Sequence, residues 1–92
     1  MRTHPVTARK SLYVSPRFTI GIEGMAEEEA DGILDFLFAH QIRPEFTYRH
    51  KWRDHDLVIW DNRCVIHHAT GGYSYPDVRT MHRTVIAGDR PY

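Results

Sequence analysis

The chain has 92 residues, with 12 Lys plus Arg against 12 Asp plus Glu, a formal net charge of zero and a hydrophobic share of 41%. A chain of that length forms one domain at most and hides only about 60 to 65% of the surface its unfolded form exposes, so a large two-domain enzyme is excluded. No net basic field draws it to nucleic acid or anionic membranes, and its single cysteine, Cys64, has no intramolecular disulfide partner, which fits a reducing cytoplasm.

No apolar stretch approaches the roughly 20 residues of a membrane span, and Met1-Arg2-Thr3-His4-Pro5 lacks the apolar core of a signal peptide. The expectation is a soluble, unexported protein. Seven histidines in so short a chain draw notice, because imidazole is the side chain most often recruited for metals and proton transfer near neutral pH.

In chain order, Lys10 to Val14 and Arg17 to Ile20 are short β-branched and aromatic runs separated by Ser15-Pro16, which predicts two brief strands or extended segments. From Met25 to His40, Ala30, Ile33, Leu34, Leu37 and Phe38 recur at the spacing of one helical face, predicting an amphipathic helix over about 26–40. Glu27, Glu28 and Glu29 make an acidic first turn. Successive carboxylates fan around the axis, so they favour a solvated helix start and not a metal site. Pro44 ends the helical region.

The remainder alternates with the two-residue period of strands: Phe46 to Trp52, Leu57 to Asp61, Val65 to Ala69 and Arg79 to Ile86. Its connections include the Gly- and Pro-containing stretch from Thr70 to Asp77. The predicted fold class is therefore α+β, a single unit over 1–92 with one helix and a β-rich part over 46–88. Its sheet edges would be open.

The last alternating segment carries the clearest chemical signal. Arg79, Met81, Arg83 and Val85 fall on one face and Thr80, His82, Thr84 and Ile86 on the other. If the first face is interior, two guanidiniums about 13 Å apart enter a closed space. A buried guanidinium calls for a carboxylate or sulfonate. If the opposite face is interior, both arginines are solvated. On the preceding segment only one imidazole of the His67-His68 pair can face inward, because adjacent strand residues point to opposite sides. A site drawn from His50, His55, His68 and His82 has no recognisable ligand spacing.

Trp60-Asp61-Asn62-Arg63, then His67 and Ala69, then Arg79-Thr80-Met81-His82-Arg83-Thr84 resemble the C-terminal signature of the taurine and 2,4-dichlorophenoxyacetate dioxygenase family. Arg2-Thr3-His4-Pro5, Lys10-Ser11-Leu12-Tyr13-Val14 and the helix around Ile33 to Phe38 resemble the segments that precede that signature, so the likeness covers essentially the whole chain. It implies a double-stranded β-helix, or jelly roll, here partial, and an Fe(II)- and 2-oxoglutarate-dependent oxidoreductase. On the resemblance, His67 corresponds to the second histidine of a two-His-one-carboxylate iron site. Arg79 corresponds to the arginine that meets the distal carboxylate of 2-oxoglutarate, and Arg83 to one that meets an acidic substrate. Asp61, Asn62 or a backbone carbonyl would orient the other nitrogen of the ligating ring.

The family's remaining two ligands form a His-x-Asp motif, and this chain contains none; His55-Asp56 is adjacent. A single ligand does not hold Fe(II) with open positions for a 2-oxoacid and O2. The expectation is thus the C-terminal part of a dioxygenase, inactive alone, with Fe(II) and 2-oxoglutarate belonging to the complete enzyme. It would need its N-terminal portion or self-associate. The alternative is a non-catalytic anion-binding or assembly module built from the same fold.

Overall fold

A computed structural model describes residues 1–90. Two short strands, β1 (Arg2–Thr3) and β2 (Lys10–Ser11), pair antiparallel with Arg2 opposite Ser11 and Thr3 opposite Lys10. The connection is tied at its base, where the His4 amide donates to the Arg9 carbonyl at 2.8 Å and the Ala8 amide to the His4 carbonyl at 2.9 Å. Ala8 takes a φ of 56°, the left-handed region that favours glycine, and is the one strained position of this turn.

β1 has no counterpart among the predicted elements, because two residues are too few to show a period. β2 occupies only the first two residues of the predicted strand from Lys10 to Val14. The second predicted strand, Arg17 to Ile20, is not one. Pro16 fixes a backbone angle suited to a turn, and the Phe18 and Thr19 amides both donate to the Ser15 carbonyl, at 3.1 and 2.9 Å. The Ser15 amide in turn donates to Thr19 Oγ1 at 2.9 Å, so the chain reverses where extension was expected.

The helix is α1, Glu27–Gln41, within one residue of the predicted bounds. It starts without a side-chain cap, but Glu27, Glu28 and Glu29 sit at the positive end of its dipole and His40 at the other. Ala30 and Leu34, one turn apart, are its buried contacts, 2% and 5% exposed. Arg43 adopts an extended ψ of 145° ahead of Pro44, as proline requires of the residue before it, and Pro44–Phe46 closes the region as a single 3-10 turn.

The β-rich expectation concerns residues 46–88. Among the described residues, none of the four alternating segments pairs with another, and this stretch has only turns near Asp54-His55, Asn62 to Cys64 and Tyr75-Pro76. Alternation decides which face a strand buries; it does not supply the neighbour whose N–H and C=O groups complete the ladder. A jelly roll draws on eight strands in two sheets, more than these segments provide. The apolar residues consequently stand in solvent, with Leu57 85% and Ile86 94% exposed. The radius of gyration, 16.4 Å, exceeds the roughly 12 Å of a compact chain of this length.

One contact closes the chain end to end. Arg2, 4% exposed, lies over the Tyr13 ring at 5.1 Å and donates from Nη2 to the Asp89 carbonyl at 3.5 Å. Its Nε and the Oγ of its ladder partner Ser11 are buried without hydrogen-bond partners.

Candidate functional site

The segment that carries His67 begins with a turn built on Asp61. The main-chain carbonyl of Asp61 accepts from the amides of Cys64 and Val65, both at 3.1 Å, while its carboxylate accepts from the Arg63 amide at 2.8 Å. This is the turn an Asx side chain makes by bonding its own backbone two residues on. The Arg63 guanidinium then closes a fork on the same carboxylate, with Nε 2.9 and 3.0 Å from its two oxygens and Nη2 2.6 Å from Oδ2. An arginine two residues along a tight turn reaches back without spanning distance, and the pairing is bidentate.

From 57 residues away, His4 also reaches Asp61, its Nε2 lying 3.1 Å from Oδ2. The His4 side chain is 11% exposed. Its Nδ1 accepts from the amides of Val6 and Thr7 at 3.3 and 3.2 Å. A nitrogen that accepts carries no proton, so the ring is the tautomer protonated on Nε2, and that N–H donates to Asp61. The side chain of Arg63 first, then its amide, then His4 hold the Asp61 carboxyl well below the usual carboxylate range. The same pairing raises the Arg63 guanidinium.

Trp60, just before the turn, donates from its indole nitrogen to Asn62 Oδ1 at 3.0 Å. Its ring also meets that of His67, with centroids 4.6 Å apart and planes at 50°. The loop from Trp60 to His67 is therefore shut at its mouth by two aromatic rings and braced inside by Asp61. Asp61, Asn62 and His67 lie on this one loop. Among the described residues, however, neither Asp61 nor Asn62 hydrogen-bonds the His67 ring: Asp61 faces His4 and Arg63, and Asn62 serves the indole.

Arg79 rests its guanidinium over the Tyr73 ring at 5.6 Å. It and Arg83 are exposed, and among the described residues neither forms an ion pair or a side-chain hydrogen bond. The resemblance would make His67 an iron ligand, but the chain contains no His-x-Asp pair, so its residues do not amount to a three-donor site.

A second cluster, unforeseen in the sequence, brings ligand-type atoms of His4, Asp61 and Cys64 within 4.8 Å of one another. It is not built for a metal. His4 Nε2 holds the proton it gives to Asp61, its Nδ1 is occupied by two amides, and the Arg63 guanidinium already neutralises the carboxylate. No periodicity marks His4. The local signal is the His-Pro pair opening a turn, together with an Asx-turn residue that has oxygen lone pairs to spare.

Residues 1–85 match the model of the family described as taurine catabolism dioxygenase TauD, TfdA family, and the chain belongs to that family. It is 43% identical, across its whole length, to a Schizosaccharomyces pombe protein named for alpha-ketoglutarate-dependent sulfonate dioxygenase activity, of which it covers 24%. It is 38% identical over 98% of its length to an alpha-ketoglutarate-dependent 2,4-dichlorophenoxyacetate dioxygenase of a Burkholderia strain, covering 30% of that protein. With the alpha-ketoglutarate-dependent sulfonate dioxygenase of Saccharomyces cerevisiae it shares 35% identity over 99% of its length, covering 22% of that protein. The chain thus spans less than a third of the length of these relatives. No solved structure matches it.

Proposed function

We propose that this chain is the C-terminal portion of an Fe(II)- and 2-oxoglutarate-dependent dioxygenase with a jelly-roll core. The whole enzyme would hydroxylate a small acidic substrate, a sulfonate or carboxylate, while converting 2-oxoglutarate to succinate and CO2. The family match over residues 1–85 carries the reading. The relatives' names add a convergent hint: a sulfonate and a phenoxyacetate are both anions that a guanidinium fork accepts.

In this reading His67 would give one nitrogen to the iron, which would supply the oxidising chemistry. Arg79, whose guanidinium lies over Tyr73, would hold the distal carboxylate of 2-oxoglutarate. Arg83 orients the acidic group of the substrate. The exposed apolar side chains of 46–88 are the inner faces of strands that ladder with the other part of the enzyme or, less completely, with a second copy of this chain. The free, exposed Cys64 suits a cytoplasmic setting. No described helix is long and apolar enough to cross a membrane.

The test is reconstitution. The purified chain with Fe(II) and 2-oxoglutarate is expected to make no succinate alone, and to do so when mixed with the N-terminal portion of a relative that carries His-x-Asp. His67→Ala abolishes that activity. Turnover by the isolated chain that survives His67→Ala would sink the proposal. The rival, a non-catalytic anion-binding or assembly module, draws on the lack of a His-x-Asp pair. It predicts a monomer that resists dilution in sedimentation and ignores 2-oxoglutarate.

A further inference from the structure

The bonds that converge on Asp61 fall into two kinds. Those from Arg63, Cys64 and Val65 arise within four residues and give the turn its shape. They travel with the turn wherever it goes. The bond from His4 comes from the hairpin at the other end of the sequence, and among the described residues it is the one side-chain hydrogen bond from outside the turn to Asp61. Shape is therefore local, and place is set by His4.

We propose that His4 is a positioning residue for His67: by holding Asp61 to the β1–β2 hairpin, it fixes where the Trp60–His67 loop presents its imidazole. His4 suits this task because it is itself immobilised. Its Nδ1 is pinned by the Val6 and Thr7 amides, its side chain is nearly buried, and its one remaining ring nitrogen points at Asp61. A ligand presented on a loop needs such an anchor, since a displacement of about 1 Å in a reacting group lowers rates severely. The functional meaning rests on the reading of His67 as an iron ligand; the mechanical link does not.

The link is measurable without metal or cosubstrate. A nitroxide is placed on the exposed hairpin turn through Val6→Cys in a Cys64→Ser background, and the His67 ring signals are followed by NMR. In the otherwise unaltered chain the label is expected to broaden the His67 signals, and the Trp60 indole to shift them upfield. His4→Ala should remove most of the broadening and leave the upfield shift, because the loop keeps its shape and loses its place. His4→Gln, which retains an N–H donor near the Nε2 position, should restore the broadening.

Broadening unchanged in His4→Ala overturns the inference. So does simultaneous loss of the upfield shift, or of the helical circular dichroism signal, either of which would make His4 a general brace. An unaltered chain that shows neither broadening nor upfield shift overturns it as well. Failure here leaves the reconstitution assay to decide the dioxygenase reading independently.

Discussion

The Asp61 loop and the arm from Tyr73 to Arg83 both carry charged groups, and they treat them in opposite ways. In the loop, Asp61 is saturated by Arg63 and His4, so the charges there serve shape. In the arm, Arg79 leans on an aromatic face and Arg83 has no ion pair among the described residues. A guanidinium on an aromatic ring keeps most of its N–H donors free for an anion. The difference separates charges spent on the shape of a turn from guanidiniums whose donors are left over.

Four changes would break or sharpen that comparison. The largest effect belongs to the anchored part of the molecule: Leu34→Ala, at a buried contact of α1, should lower stability by about 2 kcal/mol in urea unfolding followed by helical circular dichroism. Acid should act next, and selectively on the loop. The folded Asp61 carboxyl titrates below its ordinary 3.8, so its contribution is complete above that value and is lost as pH falls from there toward the folded pKa. The stability gap between the unaltered chain and Asp61→Asn should therefore close on acidification; a gap that widened would show the sign to be wrong.

In the arm the expected effects shrink. Gly72 holds a φ of 92°, which a side chain resists, yet a Cβ there meets open space, so Gly72→Ala should cost at most about 1 kcal/mol. Arg83→Ala should change unfolding by less than about 0.5 kcal/mol. In the reconstituted enzyme that same substitution should raise KM for an acidic substrate while leaving a neutral analogue unaffected. A large stability loss in Arg83→Ala would place it with Asp61 as a builder of shape.

How much of this was legible in the sequence follows from the range over which each feature is encoded. The helix is written in the spacing of Ala30 and Leu34 and stopped by Pro44, all local facts. The family is legible in Trp60 to Arg63, His67, Arg79 and Arg83, because spacing along a chain survives without coordinates. The break at Ser15-Pro16 is legible, but Arg17 to Ile20 reads as strand or extended chain from its composition, and nothing in that composition shows that the Phe18 and Thr19 amides turn back onto Ser15. Over 46–88, alternation showed the faces of strands and could not show a ladder, which requires a second segment. The His4 to Asp61 bond spans 57 residues and leaves no period to read.

The Arg2 to Asp89 contact acquires a different meaning beside that bond. Closing it alone restrains a loop of 87 residues. Once His4 holds Asp61, the loop left to close shrinks to about 30 residues, and the entropic cost of closure falls by about 1 kcal/mol. The two long-range contacts thus assist each other. Arg2 therefore closes a shorter loop because of the His4 to Asp61 bond, one in which its own guanidinium takes no part.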